Sequence, residues 1–450
     1  MIRTAIFLFL LFVLAFSLRF YRVGQPVFKE DEFTTVKAAA YAYQCQRDSN
    51  QCRRQPTSFK NRLLNLMTAN ETVPNLGAEI YLWDFIKDRA SEIHHSRAWS
   101  HLYLVGGVYR WLGINELSSR LVSVVAGSLL VVVGYWFSRT FGGSAQISLL
   151  YSGLLAISFP LIDFSRNARM YSLYTLVFLL LVTMFYKRKW LAAGILFLLA
   201  YWLQLLTLIL PLSLLAWAVW EKRYRLAGGL LFGMLILAGL SQYFNLDFSQ
   251  RQFLALAWPP HWQYLNWWLA AALVLLVLKR QKYLLTIILT YLLVLIFFTR
   301  PEQAAAYILA LEPLILWPLL NWRRWLRLVV ALIVLIQFGV GINYLYFGRD
   351  DRAQITKAYP VLTNKFQSGD KIYAVQLRDY YLQDLPPETE VIDLQENPQP
   401  EFFGSGFVVW EREKAVHFLL ETLAHIEANF DHLAGEGLDE WEVEIYSFGK

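Results

Sequence analysis

Two short stretches of the chain hold residue types that could do chemistry together. The first is "FKEDEF", residues 28–33, which sets Lys29, Glu30, Asp31 and Glu32 side by side just after an apolar run. The plain reading is a helix start, where acidic residues in the first turn gain about 0.3–1 kcal/mol from the helix dipole. Neighbouring residues on a helix diverge by roughly 100°. One of Asp31 and Glu32 can therefore face a cavity while the other caps or braces. The second stretch is "IDFSRNARMYSLY", residues 162–174. Arg166 and Arg169 are three apart, a spacing that predicts a shared helix face. A guanidinium donates two parallel hydrogen bonds and so suits a phosphate. Snorkelling toward lipid head groups is the alternative, weakened by Asp163, Asn167 and Tyr171 close by. A carboxylate base and two phosphate-binding guanidiniums at one membrane face would serve group transfer from a lipid phosphate.

The elements that must position these residues are membrane spans. Only 17% of the 450 residues are charged and 16% are aromatic, whereas a soluble chain is about a quarter charged. The apolar residues come in blocks, the mark of a polytopic helical membrane protein. The net charge of +6 does not indicate nucleic-acid binding, because the basic residues cluster in short loops between the blocks. About eleven spans are expected, at 4–20, 121–138, 146–163, 171–186, 190–205, 206–220, 226–243, 264–278, 283–298, 304–320 and 328–346. The run 190–220 is interrupted near Gln204 and Pro211, so it reads as two spans or as a re-entrant hairpin. The first apolar run lacks a small-residue cleavage pattern and reads as a retained span.

Charge orients the spans. Arg139, Lys187–Lys189, Lys222, Arg223, Arg225, Lys279, Arg280, Lys282, Arg323, Arg324 and Arg327 fall on one side, cytoplasmic by the positive-inside rule. The loop 21–120 and the tail then lie outside. "DEFTTVKAAAYAYQCQR" and "AWSHLYLVGGVYRWLG" are amphipathic enough to lie along the membrane surface. The two cysteines, Cys45 and Cys52, fall on the outer side, where an oxidising compartment favours a disulfide; two free thiols are the alternative. In the tail, "GDKIYAV", "TEVIDL", "GFVVWE" and "EWEVEIYSF" read as strands and "EKAVHFLLETLAHIEANF" as a helix. The division expected is a membrane domain, 1–348, and a small soluble α/β domain, 349–450.

At these residues the sequence resembles the GT-C glycosyltransferases of the protein O-mannosyltransferase and lipid A aminoarabinose transferase type. The marks come in the family's order: one span, then Asp31–Glu32 opening the first outer loop. "SHLYLVGGVYRWLG" follows, leading to a second span opened by Arg120. Then comes "SRNARMYSLY", close to the family's Ser-Arg-x-x-Arg-x-Tyr pattern, and later "YILALEPLILW". The likeness covers roughly 1–346. Where related sequences carry a His-Pro-Pro run before the tyrosine matching Tyr103, "WSHLY" has no proline.

The resemblance implies a polyprenyl or dolichyl phosphate sugar as donor and inversion at the sugar carbon. Asp31 matches the family's catalytic acid position and is the expected base, with Glu32 orienting the acceptor or Asp31. Arg166 and Arg169 are expected to hold the donor phosphate. Tyr171, His261 and Arg300 are candidates to line the same cavity. A divalent metal such as Mg or Mn suits carboxylate oxygen at Asp31, although two adjacent acids do not by themselves make a metal motif. The acceptor is a lipid, glycan or protein, and nucleic acid is not a partner. Compact loops and a small tail point to a bacterial inner membrane with the site and C-terminus in the periplasm. A flippase for lipid-linked sugars and a non-catalytic scaffold are the competing readings.

Overall fold

The structure is a computed structural model that describes residues 2–24, 32, 35–36, 39, 98–224, 228, 230, 264–279, 281–298, 308–347, 361–374, 389–393, 402, 404–411, 420–434 and 443–449. The chain opens with helix α1 (Ile2–Phe20), and the next long described element is α2 (Trp99–Leu112). α2 starts at Ala98, whose φ of 75° is left-handed, and stops at Gly113, whose φ of 69° suits glycine. Two residues later α3 (Glu116–Thr140) begins with a capping box between Asn115 and Ser118. Tyr109 of α2 hydrogen-bonds Ser119 of α3 at 2.8 Å, so the two helices leave the turn as a fixed pair.

α4 (Ala145–Ile157) and α5 (Phe159–Ser165) follow, bent by 53° at Ser158. The helix expected over 146–163 is thus broken in two. The cause is Pro160 in the first turn of α5: proline supplies no N–H for the Ala156 carbonyl four residues back and its ring crowds that carbonyl, so the helix cannot run straight through. The break frees carbonyls, and they are met by Arg19 from α1. Its guanidinium is wholly buried and donates to the carbonyls of Ala156 (3.0 Å), Leu155 (3.2 Å) and Ala15 (3.0 Å), and to Ser165 Oγ (3.3 Å). Across the break, Ser158 donates to Glu312 Oε1. Gly127 of α3 packs where a Cβ would strike the Ser165 side chain and approach Arg19 Nε. Gly127→Ala is therefore expected to cost about 1–3 kcal/mol by overpacking, seen as a lowered melting temperature of the detergent-solubilised protein. An unchanged melting temperature would mean that the α1–α3–α5 junction is looser than its packing implies.

α6 (Tyr171–Tyr186) leads to α7 (Trp190–Leu203) and α8 (Ile209–Trp220). The expected interruption is found at Gln204, which is extended, followed by a 3-10 turn Leu205–Leu208. At about 1.5 Å per residue both helices are shorter than the roughly 30 Å of hydrocarbon. The expected span 226–243 falls almost entirely outside the described residues. α9 (Tyr264–Leu278), α10 (Lys282–Phe298), α11 (Glu312–Leu320) and α12 (Arg324–Phe347) complete the membrane part. Among the described residues three helices are long and apolar enough to cross a membrane alone, and the bent α4–α5 pair passes the same test together. One apolar core joins α3, α4, α6, α9, α10 and α11. At its centre Trp317 is fully buried against Phe137 and Phe141, and Tyr151 donates to the Pro313 carbonyl at 2.7 Å.

Basic residues in the turns expected to be cytoplasmic lie over indole faces: Lys187 on Trp136 at 4.4 Å, Arg223 on Trp217 at 5.0 Å and Lys279 on Trp322 at 5.3 Å. Amphipathic rings and cations of this kind anchor helix ends at the head-group level.

After α12 comes a five-stranded sheet of order β2-β1-β3-β5-β4, made of β1 (Lys371–Ala374), β2 (Glu390–Asp393), β3 (Gly406–Glu411), β4 (Asp431–Ala434) and β5 (Val443–Phe448). β1 is parallel to both β2 and β3, while β5 runs antiparallel to β3 and β4. Helix α13 (Leu420–Asn429) contributes Ile426 to a separate core with Tyr373, Val408, Tyr446 and Phe448. The four expected strands are present. β4 is an addition: a short edge strand with a register shift between His432 and Ala434, too brief and polar to announce itself.

Candidate functional site: a buried carboxylate–guanidinium lock around an arginine turn

Glu32 reaches into the membrane part. Its carboxylate takes two hydrogen bonds from Arg120, Nε at 2.8 Å and Nη2 at 2.7 Å, in the planar fork expected for such a pair. Both side chains are sealed from solvent, at 2% and 1% exposure. Arg120 Nη1 also donates to the Val23 carbonyl at 2.8 Å, beyond the end of α1. The third donor to Glu32 is the backbone N–H of Ala168, at 2.6 Å from Oε1. One carboxylate thus ties the start of the first loop, the head of α3 and the turn carrying both candidate arginines. An unpaired buried charge is costly, and this one is compensated from three sides.

That turn corrects one expectation. Arg166 and Arg169 do not share a helix face: α5 ends at Ser165, residues 166–170 form turns and bends, and α6 starts at Tyr171. The turn is held by the Arg166 N–H on the Asp163 carbonyl (3.0 Å), the Arg169 N–H on the Asn167 carbonyl (2.8 Å), and Ser123 of α3 donating to the Arg169 carbonyl (2.8 Å). The two side chains take different partners. Arg166 is buried and donates to the carbonyls of Tyr21 and Arg19, the negative end of α1. Arg169 is half-buried and lies over Tyr171, with its guanidinium carbon 5.6 Å from the ring centroid and Nη2 3.4 Å from the hydroxyl. Tyr171 is buried and is steadied by an edge contact to Phe164 at 5.4 Å.

Opposite this turn stands a residue the sequence reading passed over. His101, in the first turn of α2, is fully buried, and neither ring nitrogen has a hydrogen-bond partner among the described residues. Burial pushes its pKa down to about 3, the positive charge of Arg169 adds to the shift, and the Ala168 backbone opposes it without reaching hydrogen-bond geometry. The ring is therefore neutral, and its orphaned polar atoms cost about 1–3 kcal/mol. Tyr103, two residues on, is 47% exposed.

The structure brings together Glu32, Arg120 and the Ala168 amide, with Arg169, Tyr171 and His101 around the same turn. Asp31, Cys45, Cys52, His261 and Arg300 lie outside the described residues. Among the described residues no three His, Cys, Asp or Glu side chains gather as metal ligands. Glu32 was expected to orient Asp31 or the acceptor; its described contacts are Arg120 and the turn. Arg19 and Glu312 were also missed. The signal for both was a single charge inside an apolar run, which is rarely accidental in a membrane helix.

The whole arrangement has known counterparts in shape. The chain matches the crystal structure of ArnT from Cupriavidus metallidurans bound to undecaprenyl phosphate with a TM-score of 0.54, at 12% identity, over 97% of each chain. It matches ArnT from the same organism in the apo state with a TM-score of 0.51, again at 12% identity, over 86% of this chain and 96% of that one. The chain therefore shares the overall fold of those two ArnT structures. No protein-family model matches the sequence, and no curated protein matches it.

Proposed function

We propose that the protein is an inverting glycosyltransferase that moves a sugar from a polyprenyl phosphate to an acceptor at the extracytoplasmic face. The observation that carries this is the Glu32–Arg120–Ala168 lock. Glu32 is the covalent neighbour of Asp31, so the lock ties the proposed base to the turn bearing Arg166 and Arg169. An ArnT of the same fold was crystallised with undecaprenyl phosphate, which supports a lipid-phosphate donor here.

In this reading an acceptor hydroxyl or amine attacks the anomeric carbon, the bond from that carbon to the phosphate oxygen breaks, and the acceptor proton passes to Asp31. The leaving lipid phosphate is stable as an anion, so no strong general acid is needed. Its growing charge is met by Arg166 and Arg169. Glu32 acts through Arg120 and Ala168 as a positioning residue. Eleven spans with loop 21–120 and a tail domain, 349–450, on the periplasmic side of an inner membrane complete the proposal.

The test is reconstitution of the purified chain with polyprenyl-phosphate sugars, and mass spectrometry of glycolipids and glycoproteins from cells with and without the gene. A sugar-bearing product that depends on the protein is expected. Movement of the sugar lipid across the bilayer with no glycosidic product would replace the transferase with a flippase.

A further inference from the structure

His101 has no work in the fold or in the reaction as described. A neutral imidazole carries one N–H and one bare nitrogen, yet this ring is fully buried and neither nitrogen is satisfied among the described residues. Around it, positive groups outweigh the opposing Ala168 backbone. It sits in the first turn of α2, the positive end of that helix, and Ala98 at the helix cap offers no side-chain acceptor to the first-turn amides. The Arg169 charge also acts on the ring. A lone buried donor among positive groups matches the needs of an anion.

We infer that the His101 ring N–H, together with Arg169, contacts the phosphate of the polyprenyl donor. The inference rests on the transferase reading and adds a binding residue to it. Arg169, whose charge acts on the ring, is itself only half-buried, so the pair as a whole is not sealed from the surface. Because His101 is neutral, it gives the phosphate a hydrogen bond and no proton. The bare nitrogen cannot turn toward the anion without repulsion, so the phosphate would also select the ring tautomer.

The experiment measures binding of undecaprenyl phosphate and of undecaprenol to the full chain in detergent, for wild type, His101→Leu and His101→Gln. His101→Leu replaces an unsatisfied polar ring with an apolar side chain, so it is expected to melt at or above wild type. It is expected to bind the phosphate lipid about tenfold more weakly, the effect of losing a hydrogen bond to a charged group, with undecaprenol binding unchanged. His101→Gln keeps an N–H and is expected to restore most of the phosphate preference. Equal phosphate binding by wild type and His101→Leu would overturn the inference and leave the transferase reading intact. So would equal weakening toward both lipids with a lowered melting temperature, the sign of a packing role. If wild type itself did not prefer the phosphate to the alcohol, the donor reading and this inference would fall together.

Discussion

Asp31→Asn is expected to lower sugar transfer by roughly 100- to 10,000-fold while leaving the protein folded and able to bind the donor, because loss of a positioned general base removes proton transfer from the transition state without removing any lipid contact. The substitution keeps size and polarity, so a fall in the rate of a reconstituted assay reports on the missing charge. The split between kinetic constants is informative. A base acts in the transition state, so the loss should appear in kcat, with KM for the donor nearly unchanged. Glu32→Gln is the control at the adjacent position: it should lose activity through the turn it holds, and its melting temperature should fall too. Full activity in Asp31→Asn would remove Asp31 from the mechanism.

Arg120→Met carries the largest expected effect on stability. It leaves the Glu32 carboxylate buried at about 1% exposure with only the Ala168 amide still donating among its described partners. Breaking one side of a buried pair costs about 3–5 kcal/mol. The Val23 carbonyl also loses its 2.8 Å donor. The double variant Arg120→Met with Glu32→Leu removes both charges at once, and apolar replacement of a whole buried pair is often close to neutral. Thermal unfolding should therefore show the double variant recovering much of what the single one loses. Transfer activity should stay low in both, since the double variant loses the link from the first loop to the arginine turn and the single one keeps only the Ala168 hydrogen bond of it. A double variant as unstable as the single one would mean that the pair matters less than the shape it fills.

Much of the fold was legible in the sequence because hydrophobic blocks and strand alternation are local signals. The break at Gln204 and the strands around Ile372, Val391, Val408 and Ile445 were read from patterns a few residues long. The α4–α5 break was missed although Pro160 marks it, because the apolar run continues through it and composition outweighed the backbone rule. The shared face expected of Arg166 and Arg169 failed for a related reason. Three-residue spacing places side chains together only on a helix, and Ser123 pins this segment as a turn. Glu32 and Arg120 are 88 residues apart, and nothing in either stretch encodes the other. The resemblance flagged both positions but not their pairing. His101 was invisible because its meaning lies in what surrounds it.

Arg19 has a consequence for biogenesis. Its helix leaves the ribosome ahead of two of the carbonyls that receive its guanidinium, those of Leu155 and Ala156. Until those residues leave the ribosome, the cation must wait at the head-group boundary, where a long side chain can keep its charge wet. Insertion of the proline-broken α4–α5 pair then draws it inward. Helix α1 thus acts as a clasp that closes only once α4 has followed it out, and a nascent chain stalled before that point would expose an untethered, degradation-prone anchor.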